Sequence, residues 1–80
     1  MMNDIAWRLK YTKREDGYII STIKPPALAW YGEYETAIRL EGLDTWNIAE
    51  GYDTEEEALK GHEKYSNMTE EEINGIEYIG

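Results

Sequence analysis

Residues 52–65 read Tyr-Asp-Thr-Glu-Glu-Glu-Ala-Leu-Lys-Gly-His-Glu-Lys-Tyr, and this stretch has the signature of a helix with a defined start. Thr54 and Glu57 match a capping box, in which the hydroxyl accepts from an early backbone N–H and the carboxylate reaches back to the cap residue. The three glutamates at 55–57 lie in the first turn, where the helix dipole stabilises each negative charge by about 0.3–1 kcal/mol. We therefore predict a helix over residues 54–66.

Apolar and large side chains recur at three- and four-residue spacings behind the cap and form a narrow stripe: Ala58, Leu59, His62 and Tyr65. A stripe of this kind has to lie against another layer of structure. Gly61, inside the same helix, costs about 1 kcal/mol relative to alanine. We expect it to allow close approach of another backbone, that of the strand beneath the helix. The alternative is a gap through which a ligand reaches His62.

Four segments before this helix are predicted to be strands, because they alternate or are rich in β-branched residues and are separated by turn-forming residues. They are residues 4–13, 18–23, 33–40 and 45–52. The Arg-Glu-Asp-Gly sequence at 14–17 suits a tight hairpin, since Asp-Gly accepts positive φ angles. Pro25 and Pro26 end the second strand because proline has no backbone N–H to donate.

The sequence thus predicts one α+β domain over residues 1–80: a four-stranded antiparallel sheet in hairpin order with one main helix packed on one face (β-β-β-β-α). Thr69 and the glutamates at 70–72 repeat the capping pattern and predict a short second helix that Gly75 ends. Residues 76–80 either add an edge strand to a sheet, their own or a neighbour's, or are frayed. The core is predicted to include Ile5, Trp7, Leu9, Ile20, Ile38, Ile48, Ala58, Leu59 and Tyr65.

Composition limits the classes of function. The chain has no cysteine, so disulfides and thiolate metal sites are excluded. It lacks an apolar run near the ~20 residues of a membrane span and an N-terminal signal peptide, so we expect a soluble cytoplasmic protein without membrane contact. The net charge is −9, and residues 25–80 contain fourteen acidic and three basic side chains. This acidity argues against nucleic-acid binding and suits a basic protein partner, although it can also serve solubility alone.

No pattern in the chain predicts catalysis, a metal site or a cofactor. A single histidine without cysteine cannot supply the usual zinc ligands, and the calcium-loop pattern is absent. Neither serine, Ser21 or Ser66, has the surroundings of an activated nucleophile. His62 on the apolar stripe is more often a packed, hydrogen-bonded side chain than a base. We therefore expect a non-enzymatic protein.

Aromatic usage is uneven, with seven tyrosines, three tryptophans and no phenylalanine. Tyrosine and tryptophan are favoured at interfaces and stacking sites, and they also serve as half-buried residues of small sheets. Residues 27–31 are more apolar than a loop requires, so they either cover an edge of the core or form a binding lip. The candidate residues for binding a ligand or partner are Trp30, Tyr31, Arg39, Trp46 and His62.

Two segments of the chain stand out as motifs: Tyr-Glu-Thr at residues 34–36, in a predicted strand, and Tyr-x-Thr-x-Glu-Glu-Ala-x-x-Gly-His-Glu at residues 52–63, at the predicted helix start. With this pair of motifs the chain resembles small uncharacterised proteins of tailed bacteriophages, which share a strand containing Glu-Thr and a later helix start of this pattern. In those proteins Glu-Thr is commonly followed by Met-Val-Phe, whereas Ala-Ile-Arg follows here at 37–39. The resemblance implies a phage accessory protein in the cytoplasm of an infected bacterium. It brings no established activity.

Two functions are compatible with these observations. One is a protein-binding module that presses an acidic, aromatic-rich surface on a host or phage protein. The other is a ligand-binding protein, monomeric or a homo-oligomer, that sequesters a nucleotide-like molecule by aromatic stacking. The acidic charge opposes an anionic ligand, and a chain of 80 residues encloses little volume. We therefore favour the protein-binding module.

Overall fold

The computed structural model describes residues 7–25 and 31–80, and this part of the chain has the predicted α+β architecture. The elements are β1 (Arg8–Lys13), β2 (Tyr18–Ile23), β3 (Tyr34–Leu40), β4 (Asn47–Tyr52), α1 (Glu55–Ser66) and α2 (Glu70–Asn74). The strands form one antiparallel sheet in the order β1-β2-β3-β4, and α1 lies across one face in contact with all four. Ile5 of the predicted core and Trp30 of the candidate site lie outside the described residues.

Both helices begin at the predicted caps. In α1 the Thr54 hydroxyl accepts from the Glu57 N–H at 3.2 Å, and the Glu57 carboxylate accepts from the N–H of Asp53 at 3.3 Å. In α2 the full capping box is present, with Thr69 accepting from the Glu72 N–H and Glu72 accepting from the Thr69 N–H. These bonds satisfy N–H groups that have no partner inside a helix. Local sequence therefore defines where each helix starts.

The last strand contains an irregularity that changes which side chains face α1. Thr36 pairs with Glu50, but its neighbour Ala37 pairs with Ile48, so Ala49 is an extra, bulged residue. A bulge of this kind shifts the alternation of side chains by one. Ile48 therefore lies on the face away from α1 and is only half-buried, while Ala49 is buried in the core. The prediction that Ile48 is a core residue is wrong for this reason.

The first strand presents the side opposite to the predicted one. Its polar residues Lys10 and Thr12 face α1, where they bond to Glu63 and His62 respectively. The pairing with β2 shifts between Arg8 and Lys10. Leu9 is half-buried and Trp7 is 39% exposed. The prediction that Trp7 and Leu9 lie in the core is wrong, because the other side of β1 faces the helix, where its polar side chains find polar partners.

The core lies between the sheet and the two helices. Ile20, Ile38, Ala58 and Tyr65 are buried as predicted. Leu59 is only half-buried, at the side of the helix stripe, which contradicts its assignment to the core. Five further apolar residues, which were not predicted to be in the core, are buried: Ile19, Ala37, Ala49, Tyr52 and Ile73.

The C-terminal residues bond to the outer edge of β4. The Ile48 N–H donates to the Gly80 carbonyl at 2.8 Å, and the Ile79 N–H donates to the Ile48 carbonyl at 2.8 Å. These two bonds do not extend into an assigned strand. Of the alternatives predicted for residues 76–80, the structure shows pairing with the chain's own sheet, and this pairing is limited to the bonds with Ile48.

Among the helices in the described ranges, none has the length and apolar character required to span a membrane.

Candidate functional site

A groove of 530 Å³ runs between α1 and the outer edge of β4. One side is a stripe of the helix, and the other is the end of β4 together with the segment that precedes β3. It is open to solvent. The lining residues are Tyr31, Glu50, Gly51, Tyr52, Asp53, Glu57, Lys60, Gly61 and Lys64.

The floor of the groove is the phenol ring of Tyr52, which lies against the helix at Gly61. A Cβ atom at position 61 would stand 2.1 Å from the Tyr52 hydroxyl oxygen and 2.4 Å from Cζ. Real Cβ atoms do not approach other atoms so closely, so glycine is required for the ring to fit. We expected a strand backbone at this point; the atoms that approach Gly61 most closely belong instead to a side chain.

The outer wall of the groove is formed by Tyr31, whose backbone crosses β4 at Gly51. A Cβ atom at Gly51 would stand 1.6 Å from the Tyr31 carbonyl oxygen. Gly32, which follows Tyr31, has a φ of +133°, and a Cβ atom at this position would stand 2.5 Å from the Tyr52 carbonyl oxygen. Two glycines thus allow the chain to pass directly over the strand, and the side chain of Tyr31 is left 38% exposed beside the groove.

The groove carries more acidic than basic side chains, and its basic side chains are paired with carboxylates. Three carboxylates line it, on Glu50, Asp53 and Glu57, against the two ammonium groups of Lys60 and Lys64. Lys64 donates to Glu50 at 2.9 Å and also lies over the Tyr65 ring. Lys60 lies 3.7 Å from the Glu56 carboxylate, outside the groove. Both cations therefore have an acidic partner within the chain.

A buried chain of hydrogen bonds begins at the groove floor and crosses all four strands. The Tyr52 hydroxyl donates to Thr36 at 3.0 Å, and the Thr36 and Thr22 hydroxyls are 2.6 Å apart. His62 then lies between two threonines, with Nδ1 at 2.8 Å from Thr22 and Nε2 at 2.9 Å from Thr12. If each hydroxyl donates to the next group toward His62, the ring carries its proton on Nε2 and every bond has one donor and one acceptor.

The imidazole at the centre of this chain is neutral and enclosed. His62 is 0% exposed. Burial lowers its pKa, the charge of Lys10 lowers it further, and Glu63 opposes the shift. Burial likewise raises the pKa of the Tyr52 phenol, which keeps the hydroxyl protonated. Because the ring is fully enclosed and both of its nitrogens are bonded to threonines of the sheet, His62 acts here as a packing residue.

This hydrogen-bonded chain was not predicted from the sequence. A signal was present: Thr22 and Thr36 lie two residues from Ile20 and Ile38, which the sequence already predicts to be core residues. Threonine has a high strand propensity on either face, so its presence in a strand does not reveal a buried network. Only the packing of α1 shows that two of the hydroxyls, those of Thr12 and Thr22, meet one histidine.

The other predicted site residues lie on the opposite face of the sheet. The Arg39 guanidinium lies 4.9 Å from the centre of the Trp46 ring and donates to the Leu43 carbonyl at 2.7 Å. Trp46 is 38% exposed. The four described candidates therefore occupy three places: Tyr31 at the groove, His62 in the core, and Arg39 with Trp46 beyond the sheet.

The exposed carboxylates are concentrated on the helical layer. We call the following residues the acidic helical surface: Asp53, Glu55, Glu56, Glu57, Glu63, Glu70, Glu71 and Glu72. Residues 53–72 contain only two basic side chains, those of Lys60 and Lys64. In residues 7–25 and 31–80, no three His, Cys, Asp or Glu side chains are arranged to hold a metal ion.

The fold and this surface define an acidic two-layer α+β domain. No protein-family model matches the chain, and comparisons with curated proteins and with solved structures give no significant match.

Proposed function

We propose that this protein is a non-enzymatic binding module that docks its acidic helical surface on a basic region of another protein. The observation that carries the proposal is the concentration of eight exposed carboxylates on one layer. Complementary charge accelerates encounter and fixes orientation between proteins. From the bacteriophage resemblance we expect the partner among host or phage proteins of the bacterial cytoplasm, where a basic groove that normally holds nucleic acid is a suitable target.

The basic residues nearest to the helices are engaged within the chain, which supports the proposal. Arg14 donates to the Asp16 carboxylate at 2.7 Å and to the Tyr65 carbonyl, at the C-terminal end of α1, at 2.8 Å. Lys10 is paired with Glu63. These cations offset part of the field of the helices, but the first turns of α1 and α2 carry three glutamates each. A partner that supplies cations at these turns would relieve the repulsion among them.

The arrangement of the aromatic candidates favours this function over ligand sequestration. Tyr31 lines the groove, whereas Trp46 is not among the lining residues and packs on Arg39, so the described residues do not place two stacking rings around the groove. The groove at Tyr31 is open and mainly polar. A protein partner needs no enclosed cavity, because specific interfaces form on exposed surfaces of roughly 800 Å² per partner.

The test is capture of a partner from bacterial lysate, followed by measurement of its association rate in increasing salt. We expect a basic protein whose association slows as ionic strength rises from about 0.05 to about 0.5 M, since screening shortens the reach of surface charges. Glu71→Gln should slow association, and Glu41→Gln should not. Glu41 is an exposed glutamate of the β3–β4 turn paired with Lys13, so both changes remove one charge.

Neither variant disturbs a cap, because Glu57 and Glu72 make the capping bonds. An association rate that is insensitive to salt would contradict the proposal, as would an equal effect of the two variants. A small molecule retained in native mass spectra, and released when a stacking residue is changed, would support the sequestration hypothesis instead.

A further inference from the structure

We propose that the groove between α1 and β4 receives an arginine side chain of the partner. This inference rests on the proposed function, because it specifies one contact of the same interface. The groove differs from the rest of the acidic helical surface in being concave and in having tyrosine on its floor and wall. It can therefore enclose a side chain, whereas the first turns of the helices can only attract one.

Hydrogen-bond acceptors exceed free donors in the groove. Lys64 is paired with Glu50, and Lys60 with Glu56. Glu57 uses one oxygen for the cap, while the carboxylate of Asp53 is exposed at the mouth. A ligand that suits this set brings several N–H donors and a positive charge.

The chain itself covers the outer edge of β4 at both ends of the groove. Residues 79–80 bond to Ile48, and the backbone of residues 31–32 lies against residues 51–52. An added strand from a partner would need these backbone groups for its own hydrogen bonds. Recognition in the groove is therefore expected to come from an inserted side chain.

Arginine suits the groove better than lysine. Its planar guanidinium presents five donors and stacks on aromatic rings, whereas the lysine ammonium is a compact and strongly hydrated charge. Tyr31 lines the groove and is partly exposed, with the hydroxyl end of its ring beside Gly80, and Asp53 supplies an exposed carboxylate to the same groove. A guanidinium in the groove can make a cation–π contact with the exposed part of the Tyr31 ring or a charge-assisted hydrogen bond with the Asp53 carboxylate.

The experiment is an NMR titration of the isotope-labelled protein with L-argininamide, with L-lysinamide and L-citrullinamide as comparison probes. Citrulline has nearly the shape of arginine without its charge. We expect L-argininamide to cause saturable shifts at the backbone amides of Gly51, Asp53 and Gly61. L-lysinamide should bind more weakly, and L-citrullinamide should cause no saturable shifts at these amides.

Asp53→Asn should weaken binding of L-argininamide roughly two- to fivefold, the range of an exposed ion pair. Glu71→Gln, which removes the same charge from α2, should leave the affinity unchanged. Tyr31→Phe should retain binding and Tyr31→Ala should lose it, which separates stacking from a contribution of the hydroxyl.

Shifts spread evenly over the helical amides, or an equal effect of Asp53→Asn and Glu71→Gln, would overturn the groove proposal. So would the absence of any saturable shift. None of these results would affect the proposed function, which is tested by the salt dependence of the captured partner. Conversely, saturation of the groove by L-argininamide together with partner binding insensitive to salt would leave the groove standing and overturn the proposed function.

Discussion

Gly61→Ala is the substitution that most directly tests the contact between the helix and Tyr52. On helix propensity alone the change should stabilise the protein by about 1 kcal/mol. The structure predicts the opposite sign. The new methyl group would stand 2.1 Å from the Tyr52 hydroxyl, and the ring is held in place by its bond to Thr36 and is 8% exposed.

The magnitude follows from three effects. Overpacking a close contact costs about 1–3 kcal/mol. Displacing the ring also weakens the Tyr52–Thr36 hydrogen bond, which is worth about 0.5–1.5 kcal/mol. After the gain in helix propensity, we expect a net loss of about 1–3 kcal/mol. For a domain of this size that corresponds to a fall in melting temperature of at least about 4 °C.

The assay is urea denaturation followed by circular dichroism, with Tyr52→Leu as a second background. With the phenol removed, Gly61→Ala should be neutral or stabilising by up to about 1 kcal/mol, because helix propensity then dominates. The change of sign between the two backgrounds is the diagnostic result. If Gly61→Ala were as stable as the parent with Tyr52 intact, the ring would not be fixed against the helix and the description of the groove floor would be wrong.

Three further expectations concern the caps, the core and the buried histidine. Thr54→Ala should lower the free energy of unfolding by about 1 kcal/mol, measured by urea denaturation, and leave partner binding unchanged. Ile73→Ala should cost about 2–5 kcal/mol and Leu59→Ala clearly less, because only Ile73 is fully enclosed; equal losses would contradict this order. The ring of His62 should titrate by NMR below its ordinary pKa of 6.5. Because the unfolded chain then binds a proton more readily than the folded one, the stability from the neutral ring is present above pH 6.5 and is lost as pH falls below it. A pKa of His62 above 6.5 would contradict the buried neutral ring.

Whatever depends on neighbouring residues in the chain could be predicted from the sequence. The threonine caps give the starts of α1 and α2, because a side chain and an N–H three residues away interact whatever the rest of the protein does. The antiparallel order of the strands also follows, since short turns connect β1 to β2 and β3 to β4, and prolines end β2. The acidity of the helical layer is likewise a property of residues 53–72 alone.

Tertiary structure decided which side chains face the helix and so which of them form the site. The extra residue Ala49 turns the side chain of Ile48 to the other face of the sheet. Alternation in the sequence cannot reveal this bulge, because a bulge forms only when a strand pairs with its neighbour. In β1 the polar side faces the helix, because Lys10 and Thr12 find Glu63 and His62 there.

The groove likewise exists only in the folded chain. Tyr31 and Tyr52 are twenty-one residues apart in the sequence, and the backbone of the first crosses β4 at Gly51, next to the second. Glycines at 32, 51 and 61 make these approaches possible, yet a glycine in a sequence shows only that space is available. Which atoms fill that space is set by packing between distant segments, and for this reason the cap of α1 could be predicted from its own residues whereas the groove beside it could not.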